Sequence, residues 1–294
     1  MISSDIPHLR VLPCIPATTF EEAVQALKTL PGPWWLRGRH NGNQLCVRLQ
    51  HENDLTLAWH KACAQAPGMP VQIQPAVSGA CYRVLGALDG AGFRATHFLT
   101  EEVCGGLYRV PMACVLPPGA GNETGRRVLE AAAAMAQRWP GEPGPLCVEL
   151  VDDGTHLFAV QCHTDGVQGG LSDALRLFFG FAMQADRMRG DEEITVSTLE
   201  PGLAAAVCWL ETGAGVVSGV TGVEEAKAYE NVLDIRVGVR EGDTVRHVAD
   251  TATRDQLGYV LATGDTAEHA LQTAHRARAA VRIDTSPILE PAED

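Results

Sequence analysis

The chain has 294 residues, with 23 Lys and Arg against 36 Asp and Glu for a formal net charge of −13, and is long enough for about two packed domains around a real hydrophobic core. An acidic chain without long single-sign runs argues against a nucleic-acid clamp or a basic membrane-surface protein, because both need a positive field to meet phosphate. Nine cysteines, an odd number with no C-x-x-C pair, argue against a disulfide scaffold, a zinc ribbon or a thioredoxin-type site, and no apolar run approaches a membrane span, so neither nucleic acid nor membrane is an expected partner and a cytoplasmic location is expected.

The first expected helix begins at Thr19, where Thr19-x-x-Glu22 reads as a capping box and Ala23, Val24, Ala26, Leu27 and Leu30 form an apolar stripe ended by Pro31-Gly32-Pro33. Strands are expected over Trp34 to Arg37 and Leu45 to Leu49, joined by a loop from Gly38 to Asn43, with a helix from about Asp54 to Ala66 after them. Three further strand-like runs, Val71 to Val77, Cys81 to Leu88 and Phe93 to Leu99, are separated by turn residues and suggest an antiparallel meander. Asn122 is placed to cap a long helix to Trp139. A hairpin then follows over Leu146 to Val151 and Leu157 to Cys162, with two shorter helices expected between Leu171 and Gly190.

Beyond Pro201 the expected order is strand (204 to 210), strand (216 to 220), helix (224 to 229), strand (232 to 239), turn (241 to 243) and strand (257 to 262). A last helix opens with a second capping box, Asp265-x-x-Glu268. Strands and helices alternate without a strict βαβ rhythm, which predicts an α+β chain.

Well-marked nucleotide, hydrolase and metal motifs are absent: there is no G-x-x-x-x-G-K-[ST], G-x-S-x-G or H-E-x-x-H. The Gly-rich stretches at Gly119 to Gly125 and Gly213 to Gly219 lack dinucleotide-fingerprint spacing and read as turns. His60-x-x-Cys63 lacks a second ligand pair and reads as a surface imidazole and a core thiol, while His269 and His275 read as solvated.

The hairpin is the most informative segment. With a three-residue loop Val148 would face Phe158, so that Leu146, Val148, Leu150, Phe158 and Val160 form the core side, and Glu149, Gln161, His163 and Asp165 line up on the other. Such a polar row suits a cation or a phosphate. A half-exposed strand with ordinary polar residues remains the bland alternative.

In their order, the segments Ile15-Pro16-Ala17 before the first helix, Pro33 to Arg37, Val71 to Gly79, Glu149 to Gln161 and Leu257 to Thr266 resemble the ATP-grasp superfamily, in the branch of biotin carboxylase and the dipeptide-forming carboxylate–amine ligases. The resemblance spans about residues 10 to 284. It implies an α+β, ATP-grasp-like fold, an antiparallel sheet with a smaller α+β lid subdomain, divided as an entry segment and helix (1–32), the lid (33–79), a central subdomain with the candidate metal hairpin (80–200) and a C-terminal subdomain (201–294).

By the same resemblance, ATP with Mg²⁺ or Mn²⁺ is the implied cofactor, with Arg37, Gln72, Gln74, Val77 and Val151 around the nucleotide and Glu149, Gln161 and His163 at the metal. The chemistry implied is an acyl-phosphate, carboxylate–amine ligation driven by positioning and by metal neutralisation of phosphate charge. Five positions depart from the family: Arg37 stands for Lys, Gln74 for Glu, Gln161 for a metal carboxylate, His163 for Asn and Asp165 for Arg. An impaired or partner-dependent ligase is therefore one expectation, and a non-catalytic subunit acting through protein contacts is the other. The front α/β domain of the family has no counterpart before Ile15, so a homodimer or a separate subunit is expected to replace it through the apolar segment Pro7 to Pro16.

Overall fold

The computed structural model describes residues 9–40, 43–65, 67–104, 106–116, 123–164, 171–172, 175 and 203–288. Among them a nine-stranded sheet runs in the order β1 (Leu9–Val11), β10 (Leu157–His163), β9 (Gly144–Asp152), β6 (Ala80–Asp89), β7 (Gly92–Val103), β8 (Pro111–Leu116), β11 (Ala204–Trp209), β15 (Gly258–Gly264), β13 (Val232–Val237). Every pairing is antiparallel except β1 with β10. The expected mixed fold with a dominant antiparallel sheet is what forms. No helix among the described residues is long and apolar enough to cross a membrane.

A smaller sheet, β2 (Ile15–Ala17), β5 (Val71–Pro75), β3 (Trp34–His40) and β4 (Asn43–Leu49), carries α1 (Phe20–Thr29) and α2 (Leu55–Gln65). Alternation along β3 decides its two faces: Trp34 and Leu36 pack with Leu27, Trp59 and Ile73 under the helices, while Trp35 and Arg37 look the other way. Thr19 caps α1 as expected, its side chain accepting from Glu22 N at 3.2 Å and the Glu22 carboxylate accepting in return. Because β2 pairs with β5, the small layer begins near Ile15 and the anticipated division at 32/33 falls inside it. The division at 200/201 likewise separates strands that share one sheet.

The small layer is pinned to the large sheet. Arg48 N donates to Leu107 O at 2.6 Å, Arg109 N donates to Cys46 O at 2.9 Å, and Lys61 Nζ meets the Tyr108 hydroxyl. Leu45 bridges to Asp250 on the same side. One face of the large sheet is covered by α3 (Glu123–Ala136) and α6 (Ala267–Ala280), in two apolar clusters holding Val84, Val128 and Leu150, and Ala206, Ala274 and Ile283. A third sheet, β14 (Thr244–Val245), β12 (Gly215–Thr221) and β16 (Arg282–Ser286), lies beside α4 (Val223–Lys227).

Several elements differ from expectation. β8 is buried at all six positions, so it lacks the alternation that marks a half-exposed strand, and it was not foreseen. β1, β16 and α5 (Thr251–Leu257) are also additional. β5 stops at Pro75, α3 stops at Ala136, and β3 and β4 extend into the expected loop. The cap of α6 is Thr266, whose side chain accepts from His269 N at 3.1 Å, one residue beyond the expected Asp265. The capping role of Asn122, and all but three residues of the helices expected over 171–190, lie outside the described residues. His275 is not merely solvated: its Nε2 stands 2.7 Å from Glu102 Oε2, tying α6 to β7.

His97 on β7 is 5% exposed, and burial pushes its pKa down to about 4. The unfolded chain then protonates near pH 6.5 while the folded one stays neutral, so this stability is complete above pH 6.5 and declines as pH falls toward 4. The loss reaches about 3 kcal/mol. Urea melts at pH 7 and pH 4.5 should show it, and His97→Gln should flatten that difference; an equal slope in both proteins would assign the acid sensitivity elsewhere.

Candidate functional site

The hairpin of β9 and β10 closes with a four-residue loop in which Asp153 Oδ1 accepts from Thr155 N and His156 N, at 2.8 and 2.7 Å. The register differs from the expected one: Phe158 faces Val151, and a bulge at Val160 then shifts the pairing so that Gln161 faces Glu149 and His163 faces Cys147. Glu149, Gln161 and His163 therefore share a face, as expected. Phe158 and Val160 do not join the Val148 side. Leu157 and Ala159 take those core places, while Val160 packs with Leu12, Cys81 and Val151.

Glu149 is 2% exposed and sits where the two layers meet. Its carboxylate lies 3.6 Å from Arg37 Nη1, 3.5 Å from Arg83 Nη2, 3.9 Å from Arg109 Nη1 and 3.4 Å from His163 Nε2. Arg37 comes from β3, Arg83 from the β6 position paired with Glu149, and Arg109 from the strap between β7 and β8. Arg83 also reaches Glu101 Oε1 at 2.9 Å. Burial alone would raise the Glu149 carboxyl, but the His163 hydrogen bond and the Arg83 and Arg37 charges outweigh it and hold it well below the usual carboxylate range. For Arg83 and Arg109 burial opposes the charge; Glu101 and Glu149 are among the anionic neighbours that raise both above the ordinary arginine value.

Beside this cluster opens a cleft of about 730 Å³ lined by Arg37, Gln72, Gln161 and His163 together with Met69 and Met135. That volume suits a small organic ligand. Cys162 is in the same wall, where burial first and Glu149 second push its thiol up to about 12, leaving it protonated and unreactive at neutral pH.

Of the residues expected around a nucleotide, Arg37 and Gln72 line the cleft. Gln74 is buried and donates from Nε2 to Val160 O at 3.1 Å, bracing the bulge. Val77 and Val151 pack with Cys81 in an apolar cluster. Asp165 lies outside the described residues. Arg83, Glu101 and Arg109 are additional to the expected set; a charge inside an apolar strand, as in Cys81-Tyr82-Arg83-Val84-Leu85, is a signal for Arg83, and Arg109 on its strap carries none.

Residues 209–286, about a quarter of the chain, match the sequence model described as L-amino acid ligase C-terminal domain 2. Among solved structures, the L-amino acid ligase from Bacillus licheniformis superposes with a TM-score of 0.72 at 14% identity, covering 95% of this chain and 68% of that one. The carboxyaminoimidazole ribonucleotide synthase from Aspergillus clavatus, complexed with ATP, gives 0.58 at 12% identity over 92% and 69%. Biotin carboxylase from Campylobacter jejuni, solved as a βγ-ATP complex, gives 0.59 at 14% identity over 94% and 64%. No curated protein sequence matches the chain.

Proposed function

From the premise that the chain has the ATP-grasp fold, we propose that it is an ATP-binding relative of the carboxylate–amine ligases whose own phosphoryl transfer is impaired. The observation that carries this reading is the surroundings of Glu149. In the resemblance Glu149, Gln161 and His163 would hold Mg²⁺ or Mn²⁺, yet the one carboxylate among them already faces three guanidiniums within 3.5 to 3.9 Å. Gln161 is neutral, and the His163 Nε2 is directed at Glu149. A hard divalent cation needs anionic oxygen and room for several waters. This donor set does not fit it. Among the described residues no group of three or more His, Cys, Asp or Glu is placed to hold a metal.

The nucleotide half of the reading rests on the fold, on Arg37 and Gln72 in the cleft, and on the closing segment over 209–286. The same crowding of Glu149 favours the second reading, a non-catalytic subunit, over an active ligase. Thermal melting with ATP tests binding, since a ligand at a hundred times its dissociation constant adds about 2.7 kcal/mol. Hydroxylamine trapping of an acyl phosphate tests transfer. A melting shift without hydroxamate supports the proposal; steady hydroxamate formation by this chain alone would refute the impairment.

Restoring the donors should restore the metal. Gln161→Glu with His163→Asn is expected to tighten Mg-ATP about tenfold, equivalent to about 1.4 kcal/mol. Titration calorimetry in Mg²⁺ reads this directly, and unchanged affinity would mean that the guanidiniums alone exclude the cation.

A further inference from the structure

We propose that the cleft holds a polyphosphate, as the tail of a nucleotide, by guanidinium charge and without any divalent cation. Naming a nucleotide rests on the ATP-binding reading above; the metal-free anion site stands on this chain's own geometry.

Among the described residues five charged side chains meet beside the cleft, Arg37, Arg83 and Arg109 against Glu149 and Glu101, three positive charges against two negative before His163 is counted. Arg37 is the guanidinium of the three that lines the cleft, and it is 2% exposed. Its Nε and Nη1 complete no hydrogen bond, the nearest Glu149 oxygen lying 3.6 Å away. Buried cationic donors left short of acceptors favour an anion brought to them, because the low local dielectric strengthens the attraction and desolvation has already been met in folding. A second cation would meet the same field with the opposite sign. Planar guanidinium also suits phosphate oxygens, which it can contact in pairs. The lining supplies the remaining complementarity. Gln72 and Gln161 offer neutral donors, while Met69 and Met135 offer flexible apolar surface against which a flat ring can settle.

The inference predicts a reversal of the usual metal dependence. Calorimetry on the full chain would compare ATP, AMP and inorganic pyrophosphate, each in excess EDTA and in excess Mg²⁺. ATP and pyrophosphate should bind in EDTA, AMP should bind at least tenfold more weakly than ATP, and Mg²⁺ should weaken ATP rather than tighten it. Arg37→Gln should lower ATP affinity in EDTA at least tenfold. Glu149→Gln, which frees the guanidiniums, should raise it, whereas a metal ligand at this position would make the same change lower it. Should either variant fold poorly, the EDTA and Mg²⁺ comparison on the unmodified chain decides alone.

ATP bound only in Mg²⁺ would overturn the metal-free site and leave ATP binding standing. Pyrophosphate bound in EDTA with no ATP binding in either condition would keep the anion site and overturn the nucleotide reading. No binding of either compound would overturn both.

Discussion

Glu149→Ala is expected to lower the stability of the protein by about 3–5 kcal/mol, the range seen when one partner of a buried ion cluster is removed. The contacts to Arg37, Arg83 and Arg109 are 3.5 to 3.9 Å long, so their loss as hydrogen bonds is the smaller part of the cost. The larger part comes from what is left behind. Three guanidiniums, two of them on the large sheet side and one on the small, would then face one another with Glu101 alone among the described residues to offset them. Urea unfolding should show a lower midpoint at an unchanged slope, and added pyrophosphate should recover part of the loss by supplying the missing negative charge. A loss under about 1 kcal/mol would mean that the cluster is well solvated, contrary to the 2% exposure of Glu149 and Arg37.

A comparable effect is expected at Gly258, where α5 ends and β15 begins. Its φ is 104°, a conformation L residues avoid, and a Cβ there would lie 2.0 Å from the Arg236 carbonyl oxygen on β13. Neither backbone nor oxygen has a flexible end that could give way. Gly258→Ala should therefore cost about 3 kcal/mol or more, from the dihedral and the collision together. Calorimetric melting measures the size, and amide exchange should show where it falls: protection ought to drop first at Ile235 and Val237, which pair with β15 from the sheet edge. Faster exchange spread evenly over the sheet would contradict that localisation.

Local signals in the chain were sufficient for much of this architecture. The α1 capping box, the glycine-bounded strands β6 and β7, and the hairpin of β9 and β10 each carry a pattern that short-range physics enforces. The shared face of Glu149 and Gln161 was legible too, although by a register that proved wrong in detail. A four-residue loop reverses the parity assumed for Phe158 and Ala159, and the bulge at Val160 reverses it again before Gln161. Nothing in the spacing of residues announces a bulge. The meeting of Arg83 and Arg109 with Arg37 was illegible for a different reason, because it is made by two layers coming together across the chain rather than by any local period. β8 was hidden by its own burial.

The parallel pairing of Leu9 with Leu157 also carries a schedule. These partners are 148 positions apart, so at bacterial or eukaryotic synthesis rates of about 5–20 residues per second β1 is made roughly 7–30 seconds before its neighbour exists. During that interval the segment from Leu9 to Leu12 has no β10 edge to join. Once β10 is released, docking β1 takes the outer row of hydrogen-bonding groups on β10 away from other chains. Docking on that flank thus joins two segments made far apart in time, and slowing translation between residues 12 and 157 should lengthen the nascent chain's exposure to aggregation without altering the finished fold.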